Sequence, residues 1–227
     1  MSEGMHEQRA AHPSIHFVLA GDSVFDNGTY VPGCPDVVRQ LRAILLPGGR
    51  ASLLAVDGAV VRDVPRQLAR LPAGATHIVV SAGGNDALSQ EWVLGDSVRS
   101  VAEALDRLAR VRSRFRKDYA EMLDAALRYG LPVAVCTIYD PRFPEADRQR
   151  VAVAALALFN DVITREAFAR GLPLLDLRLI CNDDHDFANP IEPSARGGAK
   201  IARAVAGLLT VGTTARHSSI VIRTGES

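Results

Sequence analysis

A serine placed directly after a glycine–aspartate pair, Gly21-Asp22-Ser23, is the first residue in the chain whose setting suggests chemistry. A hydroxyl becomes a useful nucleophile when a base takes its proton and donors receive the charge that develops on the attacked oxygen. Two later segments offer such donors. Asp57-Gly58 supplies a backbone N–H at a glycine, and Gly83-Gly84-Asn85-Asp86 supplies a side-chain amide. Asp26 and Asn27 lie just beyond Ser23, and Tyr139 heads the segment Tyr139-Asp140-Pro141. These three are candidates to contact a substrate. Each feature also has a plain structural reading: Gly-Asp-Ser is ordinary turn chemistry, Ser23 could cap a helix, and Asn85 could fill a turn.

The elements around these residues argue for the chemical reading. Five short apolar runs, residues 15–20, 51–56, 77–81, 132–138 and 173–177, are bounded by Gly, Pro, Asp or Asn. They read as buried parallel strands. Helical periodicity fills the gaps at 36–46, 64–71, 96–129 (with a break near Phe115), 146–170 and 194–209. Alternating strands and helices predict a parallel sheet with helices on both faces. Ligands of such sheets sit beyond the carboxyl ends of the strands, which is where Ser23, Gly58, Asn85 and Tyr139 fall.

In this order and spacing the blocks resemble those of the SGNH, or GDSL-type, hydrolases, over roughly residues 15–209. The resemblance implies a three-layer α/β/α fold, flavodoxin-like, with a five-stranded parallel sheet. It implies that Ser23 is the nucleophile, and that the Gly58 N–H, the Asn85 side chain and the Ser23 N–H form the oxyanion hole. It also implies a serine hydrolase acting on a small-molecule ester, expected to be a short acyl or acetyl ester, through an acyl-Ser23 intermediate.

The final block departs from the family. Where the family carries Asp-x-x-His, this chain reads Asn189-Pro190-Ile191-Glu192. The two changes are chemically consistent. An imidazole needs an acceptor behind it, whereas a carboxylate needs a donor, and asparagine provides one. The first expectation is therefore a Ser23–Glu192 pair oriented by Asn189. Burial would have to raise the Glu192 pKa for it to be an effective base. The second candidate base is His185, in Asn182-Asp183-Asp184-His185-Asp186, which reads equally as a solvated loop residue. A third reading is a site that binds a carbohydrate or other small ligand without turnover.

Composition narrows the classes further. Lys and Arg together number 26, as do Asp and Glu, so the formal net charge is zero and favours neither nucleic acid nor an anionic membrane. The run Arg107, Arg110, Arg112, Arg114, Arg116 and Lys117 is interleaved with acids and reads as a solvated helix face. Cys34, Cys136 and Cys181 are isolated, which is not a disulfide framework and fits a reducing compartment. The N-terminus lacks the apolar core of a signal peptide, and no run spans a bilayer, so a soluble, cytoplasmic protein is expected. No phosphate loop, dinucleotide fingerprint or zinc spacing is present, so no cofactor is expected. Residues 1–14 are expected as a flexible segment, 15–210 as the domain and 211–227 as a tail.

Overall fold

The computed structural model describes residues 15–210 and 220–221. The expected flexible segment 1–14, and the expected tail apart from 220–221, lie outside the described residues.

Each of the five apolar runs forms a strand. These are β1 (His16–Gly21), β2 (Arg50–Leu53), β3 (His77–Ser81), β4 (Val133–Cys136) and β5 (Leu174–Leu175). All pair in parallel, in the order β2-β1-β3-β4-β5. This is the flavodoxin-like order, in which the direction of strand addition reverses between β1 and β3 and opens a crevice there. β1 is buried along its whole length and β4 likewise, because helices cover both faces. Two short strands, β6 (Phe187–Asn189) and β7 (Glu192–Pro193), form a separate antiparallel hairpin. A two-residue strand, β8 (Ile220–Val221), extends the main sheet beyond β5, so part of the expected tail joins the fold.

The helices are α1 (Val37–Ile44), α2 (Val64–Leu68), α3 (Gly84–Leu88), α4 (Val101–Leu127), α5 (Ala146–Ala169), α6 (Leu177–Ile180) and α7 (Ala195–Gly207). α1 and α7 cover one face of the sheet, where Val37, Leu41, Ile201 and Val205 pack on Leu19 and Val79. α2, α4 and α5 cover the other, where Leu68, Tyr119, Leu123 and Ile163 pack on Ile78 and Val80. The result is the expected three-layer α/β/α arrangement.

Helix starts follow side-chain caps. Asp36 accepts from the Arg39 N–H, Ser100 from the Glu103 N–H and Ser194 from the Gly197 N–H. The expected helix from 96 therefore begins at Val101 instead, after Ser100, and it runs unbroken through Phe115. Phe115 causes no break because its ring is buried against Phe159, with centroids 4.7 Å apart.

Two devices fix the sheet edge that carries the first motif. At Gly21 (φ +125°) a Cβ would lie 1.7 Å from the Ser81 carbonyl oxygen, so only glycine lets β1 end this close to β3. The buried Gln67 side chain accepts from the Gly21 N–H at 2.7 Å and donates to the Gly21 carbonyl at 2.8 Å. Asn160 does the same for Ile138 beyond the end of β4, with both bonds at 2.8 Å. Each amide satisfies both backbone groups of one residue where strand pairing stops.

Candidate active site

Ser23 sits in the tight turn that leaves β1, with its side chain 7 % exposed. Its hydroxyl donates to Glu192 Oε1 at 3.1 Å. The two residues are far apart in sequence and meet because the β6–β7 hairpin folds back over the carboxyl ends of the strands. Glu192 is 6 % exposed, and its second oxygen, Oε2, is buried without a hydrogen-bond partner.

The hairpin is held from several sides. The Tyr139 hydroxyl donates to the Ile191 carbonyl at 2.6 Å, and the Arg142 N–H to the Pro190 carbonyl at 2.7 Å. The Asn27 amide donates to the Pro193 carbonyl at 3.2 Å, and the Ser194 N–H to the Asp186 carbonyl at 2.8 Å. Asp186 is fully buried and paired with Lys200 of α7 at 2.6 Å. Gly197 lets α7 pack onto this loop, since a Cβ there would stand 2.1 Å from the Asp186 carbonyl oxygen.

Burial dominates the electrostatics. It pushes the Glu192 carboxyl up to about 7; the Ser23 hydrogen bond pulls the other way, and the negative charge of Asp57 adds to the rise. Burial likewise raises neighbouring Asp22 to about 8, opposed by the Val24 N–H bond and reinforced by the charges of Glu192 and Asp86. Asp22 Oδ1 accepts from the Val24 N–H at 3.2 Å, a turn-stabilising bond within the Ser23 loop.

Asn85 lies in the first turn of α3, facing the same pocket as Ser23 and Glu192. One amide hydrogen is used on the Ala59 carbonyl at 3.0 Å, leaving the other available. Asp86 accepts from the Val61 N–H at 3.0 Å, so the Gly83–Asp86 block ties the end of β3 to the loop after β2. Gly58 is in an exposed turn and does not line the pocket. That turn is anchored to the Ser23 loop, because Asp26 accepts from the Asp57 N–H at 3.0 Å. Among the described residues neither the Ser23 nor the Gly58 N–H has a hydrogen-bond partner.

Several expectations need correction. Asn189 does not orient Glu192: it is exposed, its Oδ1 accepts from the Ile191 N–H at 2.9 Å, and Glu192 Oε2 has no partner. It is a turn residue of the hairpin, and it faces Glu192 only through backbone pairing. His185 is remote from Ser23 in function, because its side chain is 81 % exposed, pairs with Asp183 at 2.9 Å and does not line the pocket. Asn27 is fully buried, with both ends of its amide used on Val37 and Pro193, so it cannot meet a substrate. Asp26 is an anchor for the Gly58 turn, not a pocket wall. Tyr139 lines the pocket, but its hydroxyl is committed to the hairpin.

Gln67 and the Asp186–Lys200 pair escaped the sequence reading. Gln67 left one faint signal, a polar residue beside Val64 and Leu68 on an otherwise buried helix face. The partners of Asp186 are set by the loop conformation and left none.

The pocket at Ser23 has a volume of about 490 Å³ and runs between α4 and α5. Among the described residues no group of His, Cys, Asp and Glu side chains could hold a metal ion. No helix among them is long and apolar enough to cross a membrane. Most of the basic run on α4 is paired: Arg107 with Asp96 and Glu103 and Arg110 with Asp106, and, across to α5, Arg112 with Asp161 and Arg116 with Glu166.

Comparison with solved structures finds the same fold repeatedly. An extracellular lipase from Streptomyces rimosus superposes with a TM-score of 0.62 at 20 % identity, covering 88 % of this chain and 100 % of the lipase. The lipase Lip_vut3 from a goat rumen metagenome gives 0.66 at 17 % identity, covering 90 % and 100 %. The acetyl xylan esterase AlAXEase gives 0.63 at 16 % identity, covering 86 % and 100 %. No curated protein matches the chain. The model of the GDSL-like lipase/acylhydrolase family matches residues 19–200, most of the chain and all of the site built above. The chain therefore belongs to the GDSL-like lipase/acylhydrolase family, whose members hydrolyse esters.

Proposed function

We propose that the protein is an esterase that works through an acyl-Ser23 intermediate with Glu192 as its base. The observation that carries this reading is the buried hydrogen bond from Ser23 Oγ to Glu192 Oε1, at 3.1 Å. Glu192 takes the hydroxyl proton as Oγ attacks the ester carbonyl. The protonated carboxyl then gives that proton to the departing alkoxide. A water deprotonated by Glu192 attacks the acyl-serine, releasing the carboxylic acid and returning the proton to Ser23. The Ser23 N–H and the free hydrogen of Asn85 are the donors for the oxyanion.

A carboxylate in water is a weak base for a serine hydroxyl. Here burial lifts Glu192 to about 7, close to the value that suits a base at neutral pH. The unpartnered Oε2 contributes to this, since nothing but the Ser23 hydroxyl stabilises the ionised form. His185 as base finds no support in its exposed position. A carbohydrate-binding role is not favoured either, because the pocket wall beyond Ser23 is apolar.

The test is reaction with a fluorophosphonate probe. Wild type is expected to be labelled at Ser23, and Glu192→Gln to be labelled at least a hundredfold more slowly. An unlabelled wild-type protein that is folded by circular dichroism overturns the proposal.

A further inference from the structure

We infer that the pocket between α4 and α5 is an acyl-chain site, and that the ester cleaved at Ser23 carries a medium- or long-chain fatty acyl group, not an acetyl group. This rests on the reading of Ser23 as nucleophile, and it replaces the short-chain expectation.

The pocket starts at Ser23 and Glu192 and runs away from them between the two helices. Leu108 and Val111 of α4 form one wall, Ala152, Ala155 and Phe159 of α5 the other, and Ile138 the floor. Ala152 and Ala155 are among the smallest side chains in this lining and stand among larger ones from both helices. The charged residues that line it beyond the site are already paired: Arg148 with Glu91 at 2.9 Å, Arg112 with Asp161 at 2.6 Å, and Asp147 with Arg150 at 2.7 Å. They offer nothing unpaired to recognise a sugar or a charged ligand. The Arg148–Glu91 pair also joins α5 to the 3-10 turn Glu91–Gly95, which forms the roof of the groove.

An acetyl group would leave this apolar volume filled with water or empty. An alkyl chain would displace that water, and each methylene moved from water onto the walls is expected to raise kcat/KM by up to about fourfold. The stripe Val101, Leu105 and Leu108 sits on one face of α4 at helical spacing, and its first two members are exposed. It continues the apolar wall outward for chains longer than the groove.

The experiment measures kcat/KM for p-nitrophenyl acetate, butyrate, octanoate and dodecanoate, together with calorimetric binding of decanoate to Ser23→Ala. The expected result is a rise of at least a hundredfold from acetate to octanoate. Ala155→Trp, or Ala152→Phe one turn earlier should the first fail to fold, should cut the octanoate-to-acetate ratio at least tenfold. Decanoate should bind Ser23→Ala and lose that binding when the groove is filled. Ester hydrolysis without a gain from longer chains overturns this inference and leaves the esterase reading intact. Decanoate binding that the groove-filling change removes, with no ester turned over, supports the groove and overturns the esterase reading. Loss of neither binding nor chain preference on filling the groove places the chain elsewhere and overturns the inference.

Discussion

At the scale of single residues, the central question is what Glu192 does for the Ser23 hydroxyl that donates to it. Glutamate must be ionised to act as base, so the active form of Glu192 appears as pH rises. With its carboxyl at about 7, kcat/KM should increase with pH through that region and level off above it. A pH–rate profile flat from 5 to 8 would exclude Glu192 as base. Glu192→Gln keeps the size and the hydrogen bond to Ser23 but removes basicity, and kcat should fall by about 10²–10⁴-fold. His185→Ala should leave kcat within about twofold of wild type, because that side chain points to solvent and pairs with Asp183. Activity lost on His185→Ala but kept in Glu192→Gln would reverse the assignment.

At the scale of elements, the hairpin β6–β7 decides whether Glu192 meets Ser23. Tyr139 is a positioning residue for it, through its hydroxyl on the Ile191 carbonyl. Tyr139→Phe leaves that carbonyl short of a partner, at a cost of about 1–3 kcal/mol. The expected readout is a fall in kcat of roughly tenfold with KM little changed, since the hairpin loosens while the pocket walls remain. A change confined to KM would make Tyr139 a substrate contact after all. The Asp186–Lys200 pair anchors the other end of the hairpin to α7. Lys200→Met removes the nearest cation from the buried Asp186 carboxylate and should destabilise the fold by about 2–3 kcal/mol, less than for a fully buried pair because Lys200 is partly exposed and Arg196 remains at 3.5 Å. Adding Asp186→Asn should recover part of that loss in a denaturant titration.

At the scale of the whole molecule, the site destabilises the fold it depends on. Glu192 and Asp22 both have carboxyls raised in the folded state, to about 7 and about 8. The folded protein therefore binds more protons than the unfolded chain, and stability falls as pH rises from about 4 towards 8. For Glu192 alone the effect is on the order of 3 kcal/mol. Glu192→Gln should thus be more stable than wild type at pH 8.5, by up to that amount, with the difference vanishing near pH 4. Equal unfolding midpoints at both pH values would show that Glu192 is not held in a desolvated environment.

The sequence alone determined the sheet, the layers and the position of Ser23 beyond β1. Strands buried on both faces must be continuously apolar, and their loops must turn on Gly, Asp and Asn, so these features are local and legible. Glu192 was legible as a candidate partner of Ser23 from its place in the closing segment, and the structure puts the two in contact. The tertiary structure decided who touches whom. Asn27, Asp26 and Tyr139 lie beside the motifs in sequence and were expected at the substrate, yet hydrogen bonds to Pro193, Asp57 and Ile191 make them supports. Asn189 is three residues from Glu192, but the hairpin turn directs its amide to the Ile191 N–H. Much of the pocket wall comes from two helices that meet only after folding, so nothing in the motifs pointed to it. Periodicity records which side of an element is buried; it does not record what that side is buried against. That is why the place of Ser23 could be read from the chain, while its base became a contact, and its pocket a shape, only in three dimensions.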